Sequence, residues 1–195
     1  MTALIWDKTG EHVYETGVKH GVLYKYDKTT KAYKNGVAWN GLTTVTMSPE
    51  GAESNATYAD DIKYLDLISA EELKFTIEAV TYPDEFAECD GTAMISDGVF
   101  IGQQERAKFA FCYSTKVGND QDSEAGYKLH IVYNATAAPS ERAYATVSDS
   151  PEAISFSWEC STTPIPVKGR KPTAELIIDS TKVPAEKLKK VEAKL

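Results

Sequence analysis

The chain is poor in the residues that most enzyme and metal chemistry needs. Three cysteines, Cys89, Cys112 and Cys160, are spread over 195 residues. They make neither a paired CxxC metal set nor an even disulfide framework, so they are expected to be reduced, small hydrophobic residues. Three histidines, His12, His20 and His130, show no H-x3-H or HExxH spacing, which removes the common zinc patterns. No GxGxxG, P-loop or GxSxG run occurs. No stretch approaches the ~18 apolar residues of a membrane span, and the first residues, Met1 to Asp7, have no basic region ahead of an apolar core. The expectation is a protein made and kept in the cytosol. Positive charge is also short: 21 Lys plus Arg stand against 29 Asp plus Glu, a net charge of −8. Such a surface repels a phosphate backbone and disfavours tight nucleic-acid binding.

What is present is enough to fold. A hydrophobic fraction of 42%, with 11 Tyr, 6 Phe and 3 Trp, suits one domain spanning residues 1–195. Period-2 alternation dominates. Ile154, Phe156, Trp158 and Cys160 share one side of a strand, and Ser155, Ser157, Glu159 and Ser161 the other. Phe109, Phe111 and Tyr113 alternate within Lys108 to Val117, as do Leu129, Ile131 and Tyr133 within Tyr127 to Tyr133. The polar stretch Gly118 to Gly126 joins these two runs as a hairpin. A second hairpin is expected where Val13 to Val18 and Val22 to Tyr26 flank Lys19-His20-Gly21, and Leu42 to Met47 reads as a further strand. Ala174, Leu176 and Ile178 are expected to point inward from Thr173 to Asp179. Ser69-Ala70-Glu71-Glu72 has the form of a capping box, yet Leu73, Phe75, Ile77 and Ala79 alternate and their neighbours favour a strand. A short helix is expected over Pro83 to Cys89, and a C-terminal helix over 184–195 with Leu188, Val191 and Leu195 on one face. Residues 48–61 have no periodicity and read as a long inter-strand loop. The expected fold is mainly β, a sandwich or open barrel with these two helices.

Few constellations could carry chemistry. Cys112 and His130 fall on neighbouring strands and form the one conceivable nucleophile pair, although Cys112 lies in a run that reads as core. Asp120, Asp122 and Glu124 place oxygens at alternate positions as calcium prefers, but Gly126 comes one place late for an EF-hand and Ile131 stands where its bidentate Glu belongs. Asp60-Asp61 and Glu71-Glu72 do not make a glycosidase pair, since adjacent strand residues point to opposite sides. No catalytic, metal or cofactor site is expected, and the chain is not read as an enzyme.

Several runs nevertheless resemble one family in order along nearly the whole chain. They are Gly36-Val37-Ala38-Trp39-Asn40-Gly41-Leu42, Glu50-Gly51-Ala52, Tyr58-Ala59-Asp60, Lys63-Tyr64-Leu65, Thr76-Ile77-Glu78-Ala79 and Tyr82-Pro83-Asp84-Glu85-Phe86. Further along come Gly102-Gln103-Gln104-Glu105-Arg106, Tyr133 to Glu141, Asp149 to Ile154, and Phe156-Ser157-Trp158-Glu159. Together they resemble the major tail tube protein of siphovirus-type bacteriophages of Gram-positive hosts, which is similar in fold to contractile-tail and type VI secretion tubes.

The resemblance implies a virion tail subunit assembled in the host cytoplasm. Homo-hexameric rings would stack, and their sheets would join into one inner barrel through which DNA is ejected without specific binding. Its partners would be further copies of itself, a tape measure protein, tail tip or baseplate proteins and a tail terminator. The loop at 48–61 and the N-terminal arm, residues 1–10, would reach neighbouring subunits. Pro49, Glu50, Glu53, Asn55, Tyr58, Asp60 and Asp61 are the candidate ring-stacking residues. Glu15, Asp27, Glu78 and Glu159 are candidate lumen-facing acids, with a solvated outer face as the alternative. An acidic lumen suits DNA transit, because each Lys or Arg contact would add a binding term. Another reading, prompted by the tyrosines and by Trp6, Trp39 and Trp158, is a carbohydrate-binding or adhesin-like β-sandwich.

Overall fold

The computed structural model describes residues 4, 6–147, 149 and 153–195. Among these, the strands are β1 (Tyr14–Asp27), β2 (Ala32–Tyr33), β3 (Val37–Trp39), β4 (Leu42–Gly51), β5 (Ser54–Ala59), β6 (Ile62–Ile68), β7 (Glu71–Ala79), β8 (Ala93–Ser96), β9 (Val99–Ile101), β10 (Phe109–Gly118), β11 (Gly126–Ala137), β12 (Phe156–Thr162) and β13 (Glu175–Asp179). A 3-10 turn covers Asp84–Phe86 and a helix, α1, covers Ala185–Glu192. The short internal helix and the C-terminal helix therefore fall where the sequence puts them.

Nine strands form one antiparallel sheet in the order β2-β1-β10-β11-β12-β7-β4, with β3 added to β1 and β13 to β11. Only Asn40 and Gly41 separate β3 from β4, yet those strands sit at opposite ends of this path. The sheet therefore curls back on itself, and the Val80 amide donating to the Gly41 carbonyl at 2.9 Å carries the β4–β7 ladder up to this corner. Gly41 has φ +77, and a Cβ there would come within 2.8 Å of Thr81 Cγ2, so the tight corner requires glycine. The result is a β-sandwich closed along one side.

Aromatic residues fill it. Trp39 packs tilted against Phe86 at 4.5 Å and edge-to-face against Phe111 at 5.4 Å and Trp158 at 5.5 Å between ring centroids. Its indole nitrogen donates to the Thr81 carbonyl at 2.9 Å, which satisfies the ring's polar atom. Phe75, Ile77, Phe109, Val132 and Leu23 complete the cluster. The alternation of Phe156, Trp158 and Cys160 inward against Ser157, Glu159 and Ser161 outward holds in β12. Ile154 does not join it: it lies before the strand and stays exposed.

A second, smaller cluster of Tyr24, Ala110, Cys112 and Ile131 lies on the other face of β1, β10 and β11. The helical tail covers it, with Leu195 packed against the cluster and the Tyr24 hydroxyl donating to the Leu195 carbonyl. Leu188, Val191 and Leu195 are the half-buried positions of the tail, as their spacing predicts. Ile178 packs on this cluster and Ala174 is buried, but Leu176, expected to point inward, is 42% exposed on the edge strand β13.

Two sequence expectations need correction. Tyr14 to Asp27 is one continuous strand, not a hairpin turning at Lys19-His20-Gly21. Register against β10 shifts between Thr16 and Val18 and between Lys19 and Val22, where Gly17 has φ +67 and His20 φ +55. Turns and β-bulges both use left-handed residues, so the local signal was shared between them. The stretch 48–61 is likewise not an irregular loop. It comprises the end of β4, all of β5 and the Asp60-Asp61 turn into β6.

Candidate assembly surfaces

β5 and β6 pair only with each other among the described residues. They form a hairpin set on the end of the longer β4–β7 hairpin, whose last pair is Gly51 with Glu71. Asp60 and Asp61, with φ +51 and +61, make its tight turn. Six paired residues reach ~20 Å beyond that root. Neither face is covered: Tyr58 and Ile68 are each 70% exposed, and Ile62, Tyr64 and Leu67 are nearly as open. Of the predicted stacking residues, Pro49 and Glu50 lie opposite Leu73 and Glu72 at the end of β4. Glu53 sits at the hairpin's root, where its amide donates to the Ser69 hydroxyl oxygen at 3.1 Å. Asn55 and Tyr58 are on β5, and Asp60 and Asp61 at its turn. The structure thus places Glu53, Asn55, Tyr58, Asp60 and Asp61 on the β5–β6 projection or at its root, and Pro49 and Glu50 on the β4–β7 hairpin that carries it. The apolar residues of β6 were missed.

A second exposed hairpin, β8–β9, escaped the sequence reading altogether. Met94, Ile95, Val99, Phe100 and Ile101 project from it into solvent. Its foot is closed by the Gln104 amide donating to the Gly91 carbonyl at 2.9 Å. Lys25 to Glu88, at 2.7 Å, and Lys28 to Glu105 tie that foot to the C-terminal end of β1. The register places β5–β6 at the other end, since the amino-terminal half of β11 runs past the start of β7 by way of Ala135–Thr162 and Ser161–Lys74. The β10–β11 turn leaves from that same end. There Asp120 accepts the Gly10 amide at 2.9 Å and Asn119 donates to the Gly10 carbonyl at 3.3 Å. Of the acids compared with calcium ligands, Asp120 thus anchors the N-terminal arm, while Asp122 accepts the Glu124 amide and Glu124 pairs with Lys116. Of the arm, Leu4 and Trp6 are exposed and residues 1–3 and 5 lie outside the described residues.

Of the four candidate lumen acids, the structure brings two together. Glu78 and Glu159 share the outer face of β4, β7 and β12 with Thr44, Thr46, Ser48, Lys74, Thr76, Ser157 and Ser161. Asp27 instead accepts the Thr29 and Thr30 amides at 2.8 and 3.3 Å; these bonds hold its carboxyl below the usual range. Glu15 sits at the far end of β1 and pairs with Lys128 and with Thr115, 3.3 Å from His130 Nε2. Burial alone would raise the Glu15 pKa, but hydrogen bonds from Lys128, Thr115 and His130 more than offset it and hold the group below its ordinary 4.5. A depressed carboxylate stabilises the fold above its unfolded pKa and loses that contribution as the pH falls through the folded one. Glu15→Gln should therefore lower the melting temperature at neutral pH, and the gap to wild type should narrow below pH 4.5. Thermal melts across that range would show this; a gap independent of pH would exclude it.

The nucleophile pair fails on register. Cys112 faces Ile131, while His130 faces Tyr113 and stacks on it at 4.7 Å. Neighbouring residues on a strand point to opposite faces, so Cys112 belongs to the helix-covered cluster and His130 to the other side. Burial pushes the Cys112 thiol up to about 11 and the Cys89 thiol up to about 12, the reverse of an activated nucleophile. All three cysteines are buried and free. Trp39 and Trp158 are core residues, which leaves Trp6 alone of the tryptophans to offer a sugar-stacking surface. No helix of the described residues is long and apolar enough to cross a membrane.

No protein-family model matches the chain, and no curated protein matches it significantly.

Proposed function

We propose that this chain is the subunit of a phage-type tail tube: a structural protein that stacks as homo-hexameric rings into a conduit for DNA. The observation that carries the reading is the pair of bare apolar hairpins, β5–β6 and β8–β9, at opposite ends of one sheet. Exposed apolar patches of this kind mark interaction sites. Two different sticky ends on one molecule favour a heterologous, head-to-tail contact, which propagates instead of closing as a dimer.

Other features support it. β4 ends the sheet with an open edge, and pairing that edge with a neighbouring subunit turns an aggregation hazard into a symmetric contact. The outer face of β4, β7 and β12 is built of Thr and Ser with Glu78, Glu159 and one cation, Lys74, which is paired with Glu50; such a hydrated surface is suited to face DNA without gripping it. The family resemblance adds the ring number, the virion location and the tape measure, tail tip and terminator partners. Negative-stain electron microscopy of concentrated protein, with and without a tail-tip seed, is expected to show hollow tubes of uniform width. Protein that stays monomeric at every concentration would count decisively against the reading.

A further inference from the structure

The charge of this chain is unevenly placed. Residues 49–72, which include the β5–β6 hairpin, hold seven carboxylates and one lysine, whereas residues 160–174 hold Lys168, Arg170 and Lys171 and no acid. The basic stretch is a built feature. β12 and β13 follow one another along the same flank of β11, and the chain between them loops out sideways. Its base is fixed by the Thr163 amide donating to Asn134 at 3.2 Å and the Tyr133 amide donating to Ala174 at 2.8 Å. Ile165 and Thr173 bridge its two limbs, and the Arg170 amide closes the turn on Val167 at 3.1 Å. The three cations at its tip are exposed and, among the described residues, take part in no ion pair. Ile165 and Val167 beside them are exposed as well.

The hairpin is the counterpart of this loop in both chemistry and pattern. Asp60 and Asp61 make no ion pair among the described residues, and Tyr58, Ile62 and Tyr64 flank them uncovered. Lys63 is already matched by Asp66 within the hairpin, so the tip presents net negative charge. Among the described residues the hairpin pairs with no other strand of its own chain, so a second copy is the natural occupant of both surfaces. We infer that the β5–β6 hairpin of one subunit docks on the 164–172 loop of a neighbouring copy. Asp60 and Asp61 face Lys168, Arg170 and Lys171, and the hairpin's tyrosines and Ile62 cover Ile165 and Val167. Apolar contact supplies the affinity, and the opposite charges set register and on-rate. The inference rests on the assembly reading above and gives the β5–β6 hairpin its partner surface within it.

Charge reversal tests it. Asp60→Lys with Asp61→Lys, and separately Lys168→Glu with Arg170→Glu and Lys171→Glu, should each raise the protein concentration needed for tube formation about tenfold or more. Raising the salt should weaken wild-type assembly, because the pairing charges are exposed. Combining all five substitutions should restore tubes. Circular dichroism melts would verify that every variant folds. Tubes that form from either reversed variant as readily as from wild type would overturn this contact and leave the tube standing. Loss of assembly in both variants without rescue in the combination would also overturn it. Wild-type protein that never assembles would remove the tube and this contact together.

Discussion

Trp158→Ala is expected to remove about 3–5 kcal/mol of folding stability. Trp158 is 1% exposed and central to the aromatic cluster. Its ring lies 5.1 Å from Phe86, 5.3 Å from Tyr82, 5.5 Å from Trp39 and 5.7 Å from Phe156. Those partners come from four separate segments: β3, β12 itself, the 3-10 turn and the residues just after β7. Truncation would leave a void that none of them can fill without breaking another contact, because Trp39 is pinned by its bond to Thr81. Domains of this kind are stable by only ~5–15 kcal/mol, so the variant would approach its threshold. Urea unfolding monitored by circular dichroism measures the loss. Phe156→Ala, at a half-buried site on the same face, should cost clearly less. A loss below about 1 kcal/mol for Trp158→Ala would mean that the cluster does not hold the two layers together.

The same physics explains which parts of the fold the sequence disclosed. β12 was legible because one face is buried and the other wet, which writes period two into Phe156, Ser157, Trp158 and Glu159. The β10–β11 hairpin was legible although β10 is buried on both faces, because the large Phe109, Phe111 and Tyr113 alternate with the small Ala110, Cys112 and Ser114 and a polar turn follows, in which Asn119 accepts the Gln121 and Asp122 amides at 2.9 and 2.6 Å. β5–β6 and β8–β9 were not, because neither face of either hairpin is buried in the subunit. With no inside and outside there is no alternation to find, and a register shift between Thr57 and Tyr58 blurs what remains. In β1 the left-handed His20 produced a turn signal within a continuous strand. The candidate stacking residues read as a loop because β5 carries no alternation, whereas Glu15 is committed to Thr115 and Lys128, partners far along the chain that no sequence spacing reveals. The basic loop at 164–172 stood in plain view as an acid-free stretch, but its meaning depends on β12 and β13 sharing one flank of β11.

Those hairpins lead to the second large effect. Replacing residues 52–70 by Asn-Gly would join Gly51 to Glu71 through a two-residue turn, at a point where those residues already pair. The excised hairpin covers none of the core, and an isolated two-stranded ribbon is only marginally stable in water. The shortened chain also closes a shorter connection, which favours folding slightly. Its unfolding free energy should therefore stay within about 1 kcal/mol of wild type, while tube formation disappears. Analytical ultracentrifugation and negative-stain microscopy on the same sample would read both outcomes. In the intact protein the hairpin amides should exchange with solvent quickly in the monomer and slowly in tubes, since only docking would protect them. A truncated protein that still builds tubes would show that β5–β6 is not the assembly element. One that fails to fold would show that the hairpin belongs to the folding unit, against its isolation from every other strand. A folded monomer without tubes would separate the two halves of the molecule: a sandwich that stands alone, and a projection whose order depends on its neighbour.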